Sequence, residues 1–387
     1  MSSTSVPPLG QPPLHVVQVL GRGSSGSGAH VRSLAAGLVA RGVRVTVCAP
    51  YAAQRAYAFT GAGARFVPAE ARTDPAALAV LRAVCADADL VHAHGSRSAV
   101  RSSLALGCAR TPLVVTWHTA IQAEGARAHL VRLTERRAAR AATVVLGACS
   151  ELVERARERG ARDARLAPVA VPEPRRSPAP DSTDGTGDDD DRRSTKARAE
   201  LGAVGRPLLL TVGRLEAWQG HGLLLDAARA WRRLEPQPLL VLAGEGPERP
   251  WLQRRIDLED LPVRLLGRHE DIAALLGAAD AAVLPSRWEA RSLFAQEALR
   301  AGVPLVATAV GGVPELVGRA AELVPYGDPA ALARAVARLL ADPGRRAELT
   351  LAGPEQASAW PTEDDTVAQV LSVYDELNAR CRSAPRG

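Results

Sequence analysis

A chain of 387 residues, 47% of them hydrophobic, has the length for two or three domains and enough apolar material for a core in each. Only 3% are aromatic, and every basic residue but Lys196 is arginine; such usage fits a GC-rich coding sequence and leaves arginine content no argument for nucleic acid. The formal +6 is unevenly spread: residues 1–171 hold 21 arginines against 10 acids, or +11, and the remainder holds 27 basic against 32 acidic residues, or −5.

Cys48, Cys85, Cys108, Cys149 and Cys381 are odd in number and far apart, which argues against a disulfide frame or a metal knuckle and for a reducing compartment. No apolar run approaches the ~20 residues of a membrane span, and the start MSSTSVPPLGQPPL lacks a basic-then-apolar signal. The expectation is a soluble, cytoplasmic chain, with peripheral contact at an anionic inner membrane face as one use for the basic first half.

After the Pro-rich leader, His15–Leu20 reads as a strand, GRGSSGSG as a turn, Ala29 to Arg41 as a helix and Arg44–Ala49 as a second strand. Gly21, Gly23 and Gly26 fit G-x-G-x-x-G, but a dinucleotide site needs an acid after the second strand, and Val47-Cys48-Ala49-Pro50 supplies none. A helix near Pro75–Ala86, a strand Leu90–His92, a helix after Gly95 and a strand Leu113–Thr116 follow. His92 and His94 are too sparse for a metal without further partners and read as structural; His118 leaves the carboxyl end of a strand, the edge where α/β folds place function. The helix near Arg127–Ala139 carries a stripe of Arg132, Arg136, Arg137 and Arg140 over a thin apolar face, which reads as a solvated helix or a cationic membrane-facing surface. A strand Thr143–Leu146, a helix after Ser150 and Arg165–Val169 close the first domain, residues 1–171.

Residues 172–206, rich in Pro, Ser and Asp, read as a largely disordered linker, in which Asp188–Asp191 hold no specific ion. Strands Leu208–Val212, Leu239–Ala243, Val263–Leu266, Ala281–Leu284, Leu305–Thr308 and Ala321–Val324 then alternate with helices, the pattern of a second parallel sheet over 207–365. Residues 366–387 add a final helix and tail. The stretch Pro285 to Glu315 concentrates the chemistry. Glu289 sits in a polar turn, Glu297 lies in the helix that opens near Leu293, and between them the free amides of Ser292, Leu293 and Phe294 suit an anion. A ligand with sugar hydroxyls, a diphosphate and a ribose in line fits that order.

With Glu289 and Glu297 at this spacing after Pro285-Ser286, and with Ala301-Gly302-Val303-Pro304, Gly311-Gly312 and Pro314-Glu315 behind them, the chain resembles the family-4 glycosyltransferases of the GT-B fold over most of residues 15–350. The resemblance implies an α/β architecture of two Rossmann-like parallel-sheet domains facing across a cleft, the final helix crossing back to the first. It implies a retaining, metal-independent transferase with a nucleotide-diphosphate sugar as co-substrate and no cofactor. Glu289 is implied on the sugar, Glu297 on the ribose, His118 near the reacting carbon and Arg214 on the diphosphate. Gly26 matches the glycine-rich loop, Gly267 and Arg268 the contact to the base edge, and Arg291, Ser292 and Leu293 the sugar and phosphate end. The acceptor stays open, lipid-linked and phosphorylated ones among the options.

Three departures qualify that reading. Gln219 stands where the family has lysine; the loss of a charge-assisted bond there is worth roughly 1.5–3 kcal/mol, with His221 or Arg291 as compensating groups. Arg291-Ser292 replaces a usual Phe-Gly pair, and Val169-Ala170 a usual Asn-Gly pair. A catalytically weakened or non-catalytic sugar-nucleotide-binding protein is therefore the alternative, and an epimerase on the same architecture a third.

Overall fold

The computed structural model describes residues 12–21, 25–70, 73–170 and 187–383, with backbone alone at 25 and 187–191. Two compact units divide the chain: residues up to Glu173 together with Pro361 onward, and Pro174–Trp360.

Unit 1 alternates strands and helices in the order β1 (His15–Leu20), α1 (Ser25–Ala40), β2 (Arg44–Ala49), α2 (Tyr51–Tyr57), β3 (Arg65–Pro68), α3 (Pro75–Cys85), β4 (Leu90–His94), α4 (Ser96–Leu106), β5 (Leu113–Trp117), α5 (Gly125–Ala141), β6 (Val144–Gly147), α6 (Ser150–Glu158) and β7 (Ala164–Leu166). The seven strands are parallel in the order β3-β2-β1-β4-β5-β6-β7. All six residues of β1 and all five of β4 and β5 are buried, because helices cover both faces of a parallel sheet. Local chemistry sets the helix ends: Asp74 caps α3 by accepting from Ala77 N at 3.0 Å, with Pro75 in the first turn.

The glycine-rich stretch after β1 turns helical earlier than expected, so Gly26 lies in the first turn of α1 and not in a loop. The next glycine explains part of this: a Cβ on Gly28 would stand 2.2 Å from the Tyr57 ring, so the helix lies against that ring where it has no side chain. The C-terminal helix, Glu363–Ser383, completes unit 1 by driving Val367, Val370, Val373, Tyr374 and Leu377 into its core. Gly37 leaves the space for Val367, Ser33 bonds Glu363, and Arg165 forks onto Glu376 at 2.7 Å.

Unit 2 continues with α7 (Gly187–Leu201), β8 (Leu208–Val212), α8 (His221–Trp231), β9 (Leu239–Ala243), α9 (Arg249–Glu259), β10 (Val263–Gly267), α10 (Ile272–Ala278), β11 (Ala281–Leu284), α11 (Leu293–Arg300), β12 (Leu305–Thr308), α12 (Val313–Val317), β13 (Ala321–Val324), α13 (Pro329–Ala341) and α14 (Pro343–Ser358). Its six parallel strands run in the order β10-β9-β8-β11-β12-β13. The expected disordered linker 172–206 is corrected over its second half, where α7 is a helix docked on unit 2. Leu201 and Ala203 join the core, and Arg198 donates to Ala278 O at 2.7 Å and Asp280 at 3.0 Å. The Pro- and Asp-rich composition had masked a helix-forming run, Lys196-Ala-Arg-Ala-Glu-Leu201, with its own apolar edge. Residues 172–186 and the side chains of Asp188–Asp191 lie outside the described residues.

Each sheet reverses its winding once, between β1 and β4 in unit 1 and between β8 and β11 in unit 2. Beyond the carboxyl ends of those paired strands a doubly wound sheet leaves a crevice for a ligand.

Candidate functional site

At the unit 2 crevice the turn after β8 meets the turn after β11. Gln219 and Glu289 touch there: the amide Nε2 donates to Glu289 Oε1 at 3.3 Å, and Ser286 Oγ donates to the same oxygen at 3.1 Å. Burial pushes the Glu289 carboxyl up to about 7, against the opposing pull of those two hydrogen bonds. The backbone is fixed around it. Gly312 N donates to Glu289 O at 2.8 Å, Thr308 Oγ1 to Ser286 O at 2.6 Å, and Arg287 N to Trp218 O at 2.9 Å, which laces the two turns together. Gly311, at φ +55°, passes so close that a Cβ would lie 2.1 Å from Glu289 O. Gly220, at φ +74°, has the same relation to Pro285 O at 1.9 Å. Both positions need glycine for close approach as well as for left-handed backbone.

Arg214 leaves the end of β8 with 71% of its side chain exposed and Nε 2.8 Å from Glu216. His221 holds the backbone at this point, with Nε2 3.1 Å from Arg214 O. Burial lowers the His221 pKa, so the ring is neutral and does not supply the cation expected of it beside Gln219. Arg291, the other expected compensator, lies with its guanidinium 5.9 Å over the Trp360 ring, and Arg300 shares that ring at 5.5 Å. The structure thus brings Gln219 and Glu289 into direct contact and gives Arg291 an aromatic platform.

Ser292 caps α11 and accepts from Ala295 N at 3.3 Å, leaving the amides of the first turn, Leu293 and Phe294 among them, without helical acceptors. Glu297 lies just over a turn from that cap, partly buried, its pKa raised by burial against the opposing pull of Arg300. Gly267 ends β10 at φ +83°, accepting from Gly244 N at 2.8 Å, and Arg268 after it is exposed. Glu216 and Ser286 complete the constellation. Ser286 carried a signal as the Ser of the Pro-Ser strand end; Glu216 carried none.

At the unit 1 crevice the groups are imidazoles. His94 ends β4, His118 follows β5 and His30 projects from α1; His94 Nδ1 lies 3.1 Å from His118 Nε2. The ring centroids of His30 stand 5.7 Å from His94 and 5.2 Å from His118. Burial lowers all three pKa values, His30 to about 4. His92 is fully satisfied by Tyr374 Oη at 2.5 Å and Thr116 Oγ1 at 2.7 Å, and its role is structural. For His94, α1 and the β5 end bring two imidazole neighbours that spacing along β4 did not reveal. His30 was missed because nothing in a helical GAHVRSL stretch separates a site histidine from a packed one.

The α5 stripe faces outward, over the thin buried face expected of it. Arg127, Arg132, Arg136, Arg137 and Arg140 are exposed, together with Leu130 at 65% and Leu133 at 50%. The one acid of α5, Glu135, faces inward onto Arg155 at 2.9 Å and Arg159 at 3.1 Å. Among the described residues no helix is long and apolar enough to cross a membrane.

Two family models match. Residues 25–172 fit a glycosyl transferase 4-like domain, and residues 206–342 the group 1 glycosyl transferases. Among curated relatives, glycogen synthase of Mycobacterium tuberculosis is 38% identical over 42% of this chain and 41% of its own. D-inositol 3-phosphate glycosyltransferase of Corynebacterium urealyticum is 32% identical over 50% and 49%, and alpha-D-kanosaminyltransferase of Streptomyces kanamyceticus 30% over 64% of each. The chain therefore matches less than two thirds of the length of each. Among solved structures, Anabaena Alr3699/HepE in complex with UDP superposes with TM-score 0.77 at 19% identity, covering 94% of this chain and all of that one. Its complex with UDP-glucose gives 0.75 at 20% identity over 93% and 100%. At such identities the likeness establishes the fold.

Proposed function

Because the chain belongs to the family-4 glycosyltransferases of the GT-B fold, we propose that it is a retaining, metal-independent transferase acting on a nucleotide-diphosphate hexose. The observation that carries this reading is the Gln219–Glu289 contact at the unit 2 crevice, where a buried carboxylate is held by two neutral donors beside an exposed arginine and a helix amino terminus. UDP and UDP-glucose in the similar HepE complexes make a UDP-hexose the first donor to test.

In this mechanism the bond from the anomeric carbon to the diphosphate oxygen breaks. A bond from the same carbon to the acceptor hydroxyl oxygen forms on the same face, and the hydroxyl proton passes to the departing phosphate. Arg214 and the first amides of α11 stabilise charge on the diphosphate. Glu289 accepts from sugar hydroxyls, Glu297 from the ribose, and His118 serves the reacting carbon. Gln219 donates to Glu289 as an amide, so the diphosphate lacks the ammonium that the family ordinarily places there. That substitution favours a second reading, a binding protein with little or no turnover.

Thermal-shift titration with UDP-, GDP- and ADP-sugars identifies the donor, since a ligand raises stability by RT ln(1 + [L]/Kd). Product analysis with and without acceptor then separates transfer from binding alone and from epimerisation. Absence of any sugar-nucleotide shift sinks the proposal. For the acceptor side, the arginines and exposed leucines of α5 suit an anionic membrane surface. Salt-sensitive binding to phosphatidylglycerol vesicles, lost when Leu130 and Leu133 become Gln, is the expected result.

A further inference from the structure

We propose that His30, His94 and His118 form a site for a divalent transition metal, with zinc as the ion of matching preference. Three imidazoles on one ion, at about 2.0–2.1 Å per Zn–N bond and tetrahedral angles, place their nitrogens about 3.3 Å apart and their ring centroids about 5.2 Å apart. Here the centroids stand 5.7, 5.2 and 5.4 Å apart, and the His94–His118 nitrogens 3.1 Å. One candidate ligand atom from each residue lies within 4.8 Å of the other two, so closure on an ion needs chiefly a ring adjustment at His30.

The surroundings favour coordination over any other use of the cluster. His30 and His94 are buried while His118 is half-buried, so the cluster meets solvent on the His118 side. The His92 ring, held between Tyr374 and Thr116, lies 4.4 Å from His94 at a 30° tilt and limits how that ring can turn. His94 Nε2 is buried with no hydrogen-bond partner, so the ring is anchored through Nδ1 alone, toward His118. Coordination replaces the hydrogen bond between His94 and His118: the donor ring changes tautomer, its proton passing by way of solvent to its other nitrogen, so that both facing nitrogens offer the ion a lone pair.

One consequence rests on the transferase reading, although the site itself does not. A bound ion occupies His118 Nε2 and removes it from the sugar, so zinc acts here as a reversible inhibitor of a reaction that needs no metal.

Cobalt is the first probe. The full chain, stripped with chelator and dialysed, is titrated with Co2+; the expected result is one equivalent bound with the visible absorption of a four-coordinate ion, erased by Zn2+. His30→Ala and His94→Ala each weaken binding about tenfold or more, whereas His129→Ala and His269→Ala, at exposed positions, do not. Substituting Ser at the exposed Cys108 and Cys381 leaves the spectrum intact. Circular dichroism of each variant separates loss of ligand from loss of fold, and His30→Gln serves if the alanine variant unfolds. No cobalt spectrum, or one unchanged in the His30 and His94 variants, overturns the site. Cobalt bound at the three histidines with transfer indifferent to zinc overturns only the assignment of His118 to the sugar.

Discussion

The two crevices have the same topology and opposite electrostatics. In unit 2 the carboxyl edge is built from charged side chains, Arg214 on Glu216, Glu289 under Gln219 and Ser286, and Arg291 over Trp360, with Arg214 open to water. In unit 1 the same edge holds neutral imidazoles shielded from water, with the arginines displaced to the outer face of α5. The difference teaches what each unit is equipped to recognise. Paired charges held in place meet an anion and its hydroxyls at little reorganisation; buried imidazoles serve a single atom, whether a reacting carbon or a metal ion.

Substitutions test that division. Glu289→Ala should lower transfer by about 10²–10³-fold, because the group acts where charge and hydroxyls are held. His118→Ala should lower transfer by about 10²-fold while the donor Kd moves less than about twofold, and an equal loss of donor affinity would erase the distinction between the units. Arg214→Ala should reduce kcat/KM by about 10- to 150-fold, the worth of a charge-assisted hydrogen bond to phosphate. Gln219→Lys should raise turnover by up to about tenfold; no change, with donor bound equally well, would place residue 219 outside the phosphate contact. The added ammonium should also pull the Glu289 pKa down.

The smallest effect is on stability. The Glu289 carboxyl sits at about 7 in the folded chain against an ordinary 4.5. Across that window the native state keeps a proton that the unfolded chain releases, so stability is fullest below the window and falls as pH rises through it. The change is about 3 kcal/mol at most. Urea midpoints of the wild type should drop between about pH 5 and pH 8, and Glu289→Gln should flatten that slope.

The parallel strands were legible because they are short, apolar runs bounded by turn residues, and Glu289 and Glu297 because the motif around them is dense. What escaped was of four kinds. Arg65–Pro68, half-exposed at the sheet edge, lacks the apolar run that marks its neighbours. The α7 helix was hidden by acidic, proline-rich composition around it, which outweighs six helix-forming residues in any window average. The histidine cluster joins residues 30, 94 and 118 from three elements, and only the sheet order, with β4 between β1 and β5, makes them neighbours. Gln219 was readable as a departure from the family, but its contact with Glu289 was not, since the two lie 70 residues apart.

The amino-terminal unit owes Val367, Val370, Tyr374 and Leu377 to the last helix of the chain, whereas the other unit is one uninterrupted segment. During synthesis the second unit can therefore mature from the residues already extruded, while the first waits with an uncovered apolar flank on α1 until residues 363–383 have followed. The interval between the two is when a chaperone has most to shield.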